Sequence, residues 1–97
     1  MIPGLNISLV DFQTEDEMLG YGFTTIFEKK NGIKCVSDYR GDGLFYIVFI
    51  PSLEMHRKSL EISCDGSACM DPDGGFTWIT GKIEQLVDSL TSKKNIF

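Results

Sequence analysis

The sequence predicts a single α+β domain over residues 1–97. We expect an antiparallel sheet of about five or six strands, arranged as hairpins or a meander, with an amphipathic C-terminal helix on one face and a short N-terminal helix. Most of the chain consists of strand-sized runs separated by glycine-containing turns. The run Leu44–Ile50 is apolar throughout, as in a central strand covered on both faces. The last part of the chain has apolar residues at helical spacing.

The N-terminal part is predicted to hold one strand and one short helix. Residues 5–12 show a rough alternation of apolar and polar residues, which is typical of a strand. Thr14 and Glu17 stand three residues apart, as in a capping box, so a helix is expected to begin here. Gly20 follows so soon that this helix has one or two turns.

A hairpin is predicted around Asn31-Gly32, which lies between two β-prone runs. A two-residue turn needs positive φ at both positions, and these two residue types tolerate it. In that register Lys29 faces Lys34, which is an unfavourable pair of like charges.

The second half of the sheet is predicted from residues 59–64, which again alternate. The preceding residues 52–58 are compatible with a loop or a short helix. Asp65-Gly66 is predicted to form a second hairpin turn, with residues 67–70 returning as a short strand.

The C-terminal helix is predicted to begin at Phe76 or Ile79. Its apolar residues follow spacings of four, three, one and three, which place them on one helical face. They are Ile79, Ile83, Leu86, Val87 and Leu90.

The segment Ser63–Gly75 contains two cysteines, three aspartates and three glycines. It does not match a calcium loop, because Phe76 and Lys82 occupy the positions that need glycine and glutamate. The predicted hairpin turn would hold the sulfurs of Cys64 and Cys69 too far apart for a disulfide. We therefore predict that both are thiols that pack as small apolar side chains.

No catalytic residue, metal or cofactor is predicted, and the chain is not expected to be an enzyme. The sequence has one histidine and no Gly-x-Ser-x-Gly motif. The alternative is a structural zinc or thiol protein, which would use all of Cys35, His56, Cys64 and Cys69.

The charge predicts the kind of partner. Fourteen acidic residues against nine lysines and arginines give a net charge of −5, so a basic protein is favoured over nucleic acid. A nucleic-acid site would have to use Lys29, Lys30, Lys34 and Tyr39. Because we see no signal peptide, no membrane-spanning run and an odd number of cysteines, the predicted location is the cytoplasm.

Two features are predicted to contact the partner: the acidic tracts over residues 11–17 and 61–73, and the apolar central strand. The helix can cover only one face of that strand. The other face is covered by the sheet curling on itself, by the short helix and residues 51–58, or by another chain. The predicted contact residues are Glu15, Asp16, Glu17, Asp71, Asp73, Phe45 and Phe49.

The predicted function is therefore that of a small acidic protein-binding module. Its concrete form is an inhibitor or antagonist of a larger basic protein that handles nucleic acid or acts in host defence, as in accessory proteins of phages and mobile elements. A homodimeric adaptor similar to a secretion chaperone is a second form of the same class.

Overall fold

Five strands and four helices make up the computed structural model, which describes residues 4–41 and 43–91. In chain order they are β1 (Leu5–Asp11), α1 (Glu15–Gly20), β2 (Thr24–Glu28), β3 (Lys34–Arg40), β4 (Gly43–Phe49), α2 (Pro51–Glu54), β5 (Lys58–Asp65), α3 (Gly66–Cys69) and α4 (Thr77–Thr91).

The five strands form one antiparallel sheet in the order β1-β5-β4-β3-β2. Strands β2 to β5 are a meander, in which each strand pairs with the next one along the chain. Strand β1 instead pairs with β5, with Leu5 opposite Cys64 and Asp11 opposite Lys58. The predicted α+β fold is confirmed, including the central position of the apolar strand β4.

Helix α4 covers one face of the sheet, and we call this the helix face. Ile79, Ile83 and Val87 are fully buried there against β4 and its neighbours. The Tyr46 hydroxyl lies in this layer and forms a hydrogen bond with the Thr80 hydroxyl at 3.0 Å. Burial raises the pKa of Tyr46 above its ordinary value, so this phenol stays neutral.

Helix α1 covers part of the opposite face. The predicted capping box is present: Glu17 N donates to the Thr14 hydroxyl, and Thr14 N donates to the Glu17 carboxylate, both at 3.1 Å. Met18 and Phe23 are buried against an apolar cluster on this face of β3 and β4. The cluster consists of Val36, Ile47 and Phe49.

The chain itself therefore shelters this second face, so the apolar strand does not require another chain. The side chain of Phe49 is only 3% exposed, and its predicted role as a surface contact is wrong. Phe45, near the start of β4, is half-buried and packs against the same cluster.

The β2–β3 hairpin differs from the prediction. Lys29 N donates to the Ile33 carbonyl at 2.7 Å, so the loop has three residues rather than two. Gly32 takes the positive φ of 92°, as in a type I turn closed by a glycine bulge. The register moves by one residue, so that Glu28 rather than Lys29 faces Lys34. The predicted repulsion is thereby replaced by an attractive pair.

Lys29 instead connects the hairpin to α4. Its ammonium contacts the Glu84 carboxylate and lies 3.5 Å from that of Asp88. The hydrogen bond to Glu84 raises the pKa of Lys29 above its ordinary value, so the lysine remains charged. Helix α4 is thus held in two ways. Glu84 and Asp88 form ion pairs with Lys29 of the hairpin loop, and the apolar side chains of the helix pack on the sheet.

Candidate functional site

The segment after β5 forms helix α3 in place of the predicted turn and returning strand. Asp65 begins this helix, since its carboxylate accepts hydrogen bonds from the Ser67 N–H and hydroxyl at 2.9 Å each. These hydrogen bonds lower the pKa of Asp65, because they stabilise the charged form. Asp65 was expected to lie inside a hairpin, but it is a helix cap with a fixed negative charge.

Helix α3 also brings the two cysteines of this segment together. The Cα atoms of Cys64 and Cys69 are 6.3 Å apart and their sulfurs lie within bonding distance, so the structure joins them as a disulfide. The prediction of two separate thiols is wrong. The turn of helix α3 brings Cys69 close to Cys64, whereas a hairpin would have kept the two sulfurs apart. Such bridges are rare in cytoplasmic proteins, so this one does not support the predicted location.

Reduction of the Cys64–Cys69 bridge is expected to lower the free energy of unfolding by roughly 2 kcal/mol, the value for so short a closed loop. The measurement is urea denaturation with and without a reductant, followed by circular dichroism. The double variant Cys64→Ala/Cys69→Ala is the control, because it should not respond to the reductant. Equal midpoints for the oxidised and reduced wild-type protein would contradict the prediction.

The loop between α3 and α4 is organised by Asp71. Its carboxylate accepts hydrogen bonds from Thr77 N at 3.1 Å and Trp78 N at 3.2 Å, which are free N–H groups at the start of α4. Its own N–H donates to the Gly75 carbonyl at 2.7 Å. Asp71, predicted as a partner contact, therefore has a structural role as the cap that fixes the first turn of α4.

Three large side chains stay exposed around this loop. Tyr39 at the end of β3 is 46% exposed, Met70 is 42% exposed and Trp78 is 47% exposed. Two shallow depressions meet at Met70, one leading to Tyr39 and the other to Trp78. Together with the neighbouring aspartates they form what we call the acidic aromatic surface: Tyr39, Asp65, Met70, Asp71, Asp73 and Trp78.

The acidic aromatic surface is negatively charged. The chain has no lysine or arginine between Lys58 and Lys82, and Asp73 is exposed, with a single hydrogen bond of 3.0 Å from Gly75 N. Carboxylates bind guanidinium and ammonium groups, and aromatic faces attract the same cations. The surface is therefore suited to arginine or lysine side chains of another molecule.

The first acidic tract is arranged differently. Glu15 lies 3.2 Å from the Lys34 ammonium, and this hydrogen bond raises the pKa of Lys34. Glu17 is used in the capping box. Asp16 is exposed, and its charge also contributes to the raised pKa of Lys34.

The aromatic half of the surface was not predicted from the sequence. Trp78 is the sole tryptophan of the chain, and it lies outside the apolar stripe of α4. Those two facts together are the signal that would have identified it, since a tryptophan off the buried stripe of a helix must face solvent or a partner.

The residues of the alternative zinc site are not brought together. Cys64 and Cys69 are joined to each other, Cys35 is buried in the core as a free thiol, and burial raises its pKa. His56 lies before the start of β5, whereas Cys64 lies near its end. Within residues 4–41 and 43–91, no three His, Cys, Asp or Glu side chains are grouped so that they could hold a metal ion.

The residues of a nucleic-acid site are also dispersed. The lysines at both ends of the β2–β3 loop are in ion pairs, Lys29 with α4 and Lys34 with Glu15. Tyr39 lies at the far end of β3 from Lys34. Lys29 and Lys34 are thus engaged within the chain, whereas Lys30 is exposed in the loop between them.

No protein-family model matches this chain, and no curated protein or solved structure matches it either. None of the helices in the described part of the chain combines the length and apolar character needed to cross a bilayer.

Proposed function

We propose that this chain is a small protein-binding module whose acidic aromatic surface docks onto a basic segment of a larger protein. The observation that carries the proposal is the exposure of Tyr39, Met70 and Trp78 beside three aspartates, in two depressions whose lining includes no lysine or arginine. Tryptophan, tyrosine and methionine are enriched at protein interfaces. Three of them grouped on one surface indicate a contact site rather than ordinary exposure.

The two halves of the surface have different roles in this proposal. The aromatic and methionine side chains supply the binding energy, since residues of this kind dominate alanine scans of interfaces. The aspartates, within a chain of net charge −5, attract the partner and exclude acidic competitors. Proteins that handle nucleic acid carry clusters of lysine and arginine, so an inhibitor or antagonist of such a protein is the concrete form that we propose.

Binding of an oligoarginine peptide is expected to change the emission of Trp78, which as the sole tryptophan reports on this surface alone. An oligoglutamate peptide should produce no change, and the apparent affinity for oligoarginine should fall with added salt. Asp73→Asn is expected to weaken the binding, because it removes the negative charge of an exposed residue of this surface. Asp16→Asn is the matched control, since it removes the same charge from an exposed position on α1. Equal emission changes with both peptides would contradict the proposal.

Variants of this kind also test whether the natural partner binds at the acidic aromatic surface. A protein captured from the host lysate should be lost with Trp78→Ala, for which we expect a fall in affinity of about 30-fold, equivalent to about 2 kcal/mol. It should be retained with Asp16→Asn. If the partner were lost with Asp16→Asn and retained with Trp78→Ala, the binding site would lie on α1 and the proposed surface would be refuted.

A further inference from the structure

Strand β1 has an open edge. In the described part of the chain it pairs with β5 only. At its two ends Phe12 N donates to the Arg57 carbonyl at 3.0 Å, and Asp65 N donates to the Gly4 carbonyl at 3.4 Å. In a regular antiparallel ladder the even-numbered residues between these ends also point towards β5. The backbone groups of the odd-numbered residues, including Ile7 and Leu9, therefore point outward, where another strand can bind them.

The same two residues expose apolar side chains on the helix face. Ile7 is 37% exposed and Leu9 is 56% exposed, because α4 does not extend over β1. A groove of about 510 Å³ begins at Leu9, with Leu60 and Leu90 also in its lining. The open backbone edge and the uncovered apolar side chains thus belong to one continuous surface.

The opposite edge of the sheet is protected. Strand β2 has five residues, and its register shifts between Thr25 and Phe27. The lysines Lys29 and Lys30 follow it directly. A short strand, a bulge and lysines each discourage pairing with another chain. An open filament, in which the β1 edge of one copy pairs with the β2 edge of the next, is therefore disfavoured.

We propose that two copies of the chain pair antiparallel through β1, with a two-fold axis at Ser8. In this register Ile7 of each copy lies opposite Leu9 of the other. Both apolar pairs then lie on the helix face. The outward N–H and C=O groups of Ile7 and Leu9 in one copy form hydrogen bonds with those of the other copy. A two-fold contact requires such a self-complementary surface, and Ser8 is its centre because Ile7 and Leu9 are symmetric about it.

The charge distribution favours a second copy at this edge. Two molecules of net charge −5 repel each other over most of their surfaces. Residues 5–10 of β1 carry no charged side chain, and Asp11 is paired with Lys58 at 3.0 Å. This neutral strip is where two copies can approach with least repulsion. The inference is independent of the acidic aromatic surface, so either proposal can fail alone.

The first test is the solution mass of the purified protein by light scattering and sedimentation. The wild-type chain should have about twice its monomer mass of 10.9 kDa. Leu9→Lys should return the mass to that of a monomer and leave the thermal midpoint of the dilute, monomeric protein unchanged, because the side chain is largely exposed. Thr24→Lys, on the β2 edge, is the matched control and should remain dimeric. A wild-type protein that is monomeric at high concentration would overturn the inference.

The second test fixes the register. Opposed residues of a non-hydrogen-bonded antiparallel pair have Cα atoms about 4.5 Å apart, which is within the range of a disulfide. Ser8→Cys should therefore form a covalent dimer when oxidised glutathione is added. Asn6→Cys should not, because two copies of residue 6 would be about 13 Å apart along the paired strands. A dimer in which Ser8→Cys fails to cross-link would refute pairing about Ser8.

Discussion

Met18→Ala is expected to lower the free energy of unfolding by about 2–5 kcal/mol, the usual cost of removing a large buried side chain. Met18 is 4% exposed and packs on the face of the sheet opposite α4. Without it, part of the apolar cluster of Val36, Ile47 and Phe49 loses its cover. For a domain of this size the thermal midpoint should fall by at least about 8 °C, as measured by circular dichroism.

Leu19→Ala is the matched control for this prediction. Leu19 is the next residue of the same helix, but its side chain is 42% exposed. Its replacement should change the free energy of unfolding by less than about 1 kcal/mol. Similar losses for both variants would mean that α1 contributes through its helical backbone and not through the burial of Met18.

Ile83→Ala is expected to have an effect of the same size on the other face, again about 2–5 kcal/mol. Ile83 is fully buried at the middle of α4, between Ile79 and Val87. The surrounding core includes Tyr46 and Ile62, and a sheet cannot move to fill the space that a missing side chain leaves. Urea denaturation followed by circular dichroism measures the loss.

Gln85→Ala controls for changes in the helix itself, because Gln85 lies on the exposed side of α4. Alanine and glutamine have similar helix propensities, so the free energy of unfolding should stay within about 0.5 kcal/mol of the wild type. If Ile83→Ala were equally mild, the helix would not be the main cover of this face.

The elements of the fold were largely predictable because each has its own local pattern. The capping box of Thr14 and Glu17 marks the start of α1, and the apolar stripe that includes Ile79 and Ile83 marks α4. The turns were harder to predict than the helices and strands. Asn31-Gly32 suits a two-residue or a three-residue loop equally well by composition, and the choice depends on which register pairs Glu28 with Lys34.

The error at Asp65-Gly66 has a similar cause. An aspartate before a glycine is typical of a hairpin turn, but an aspartate is also a good helix cap. Here the Asp65 carboxylate accepts hydrogen bonds from the Ser67 N–H and hydroxyl, so Asp65 caps helix α3. The disulfide and the position of Met70 both depend on that choice, so neither could be predicted from cysteine spacing.

Of the candidate site, only the aspartates, and hence the negative charge, were predicted from the sequence. Asp71 and Asp73 do lie on one surface, but Asp71 is used as the cap of α4. The prediction could not anticipate that Tyr39, from a distant strand, lies beside Met70, because that proximity arises from the sheet order. Phe45 and Phe49 are predicted as contacts only if another chain covers the second face, and α1 supplies that cover at Phe49.

The pairing of β1 with β5 leads us to expect an order in which the strands assemble during synthesis. Strands β2 to β5 find their partners in the adjacent segment of chain, whereas Leu5 must wait until Cys64 has left the ribosome. Closing so long a loop costs more entropy than closing a hairpin. Strand β1 is therefore expected to be the last of the five to join the sheet, and a nascent chain that ends before β5 offers β1 no partner strand.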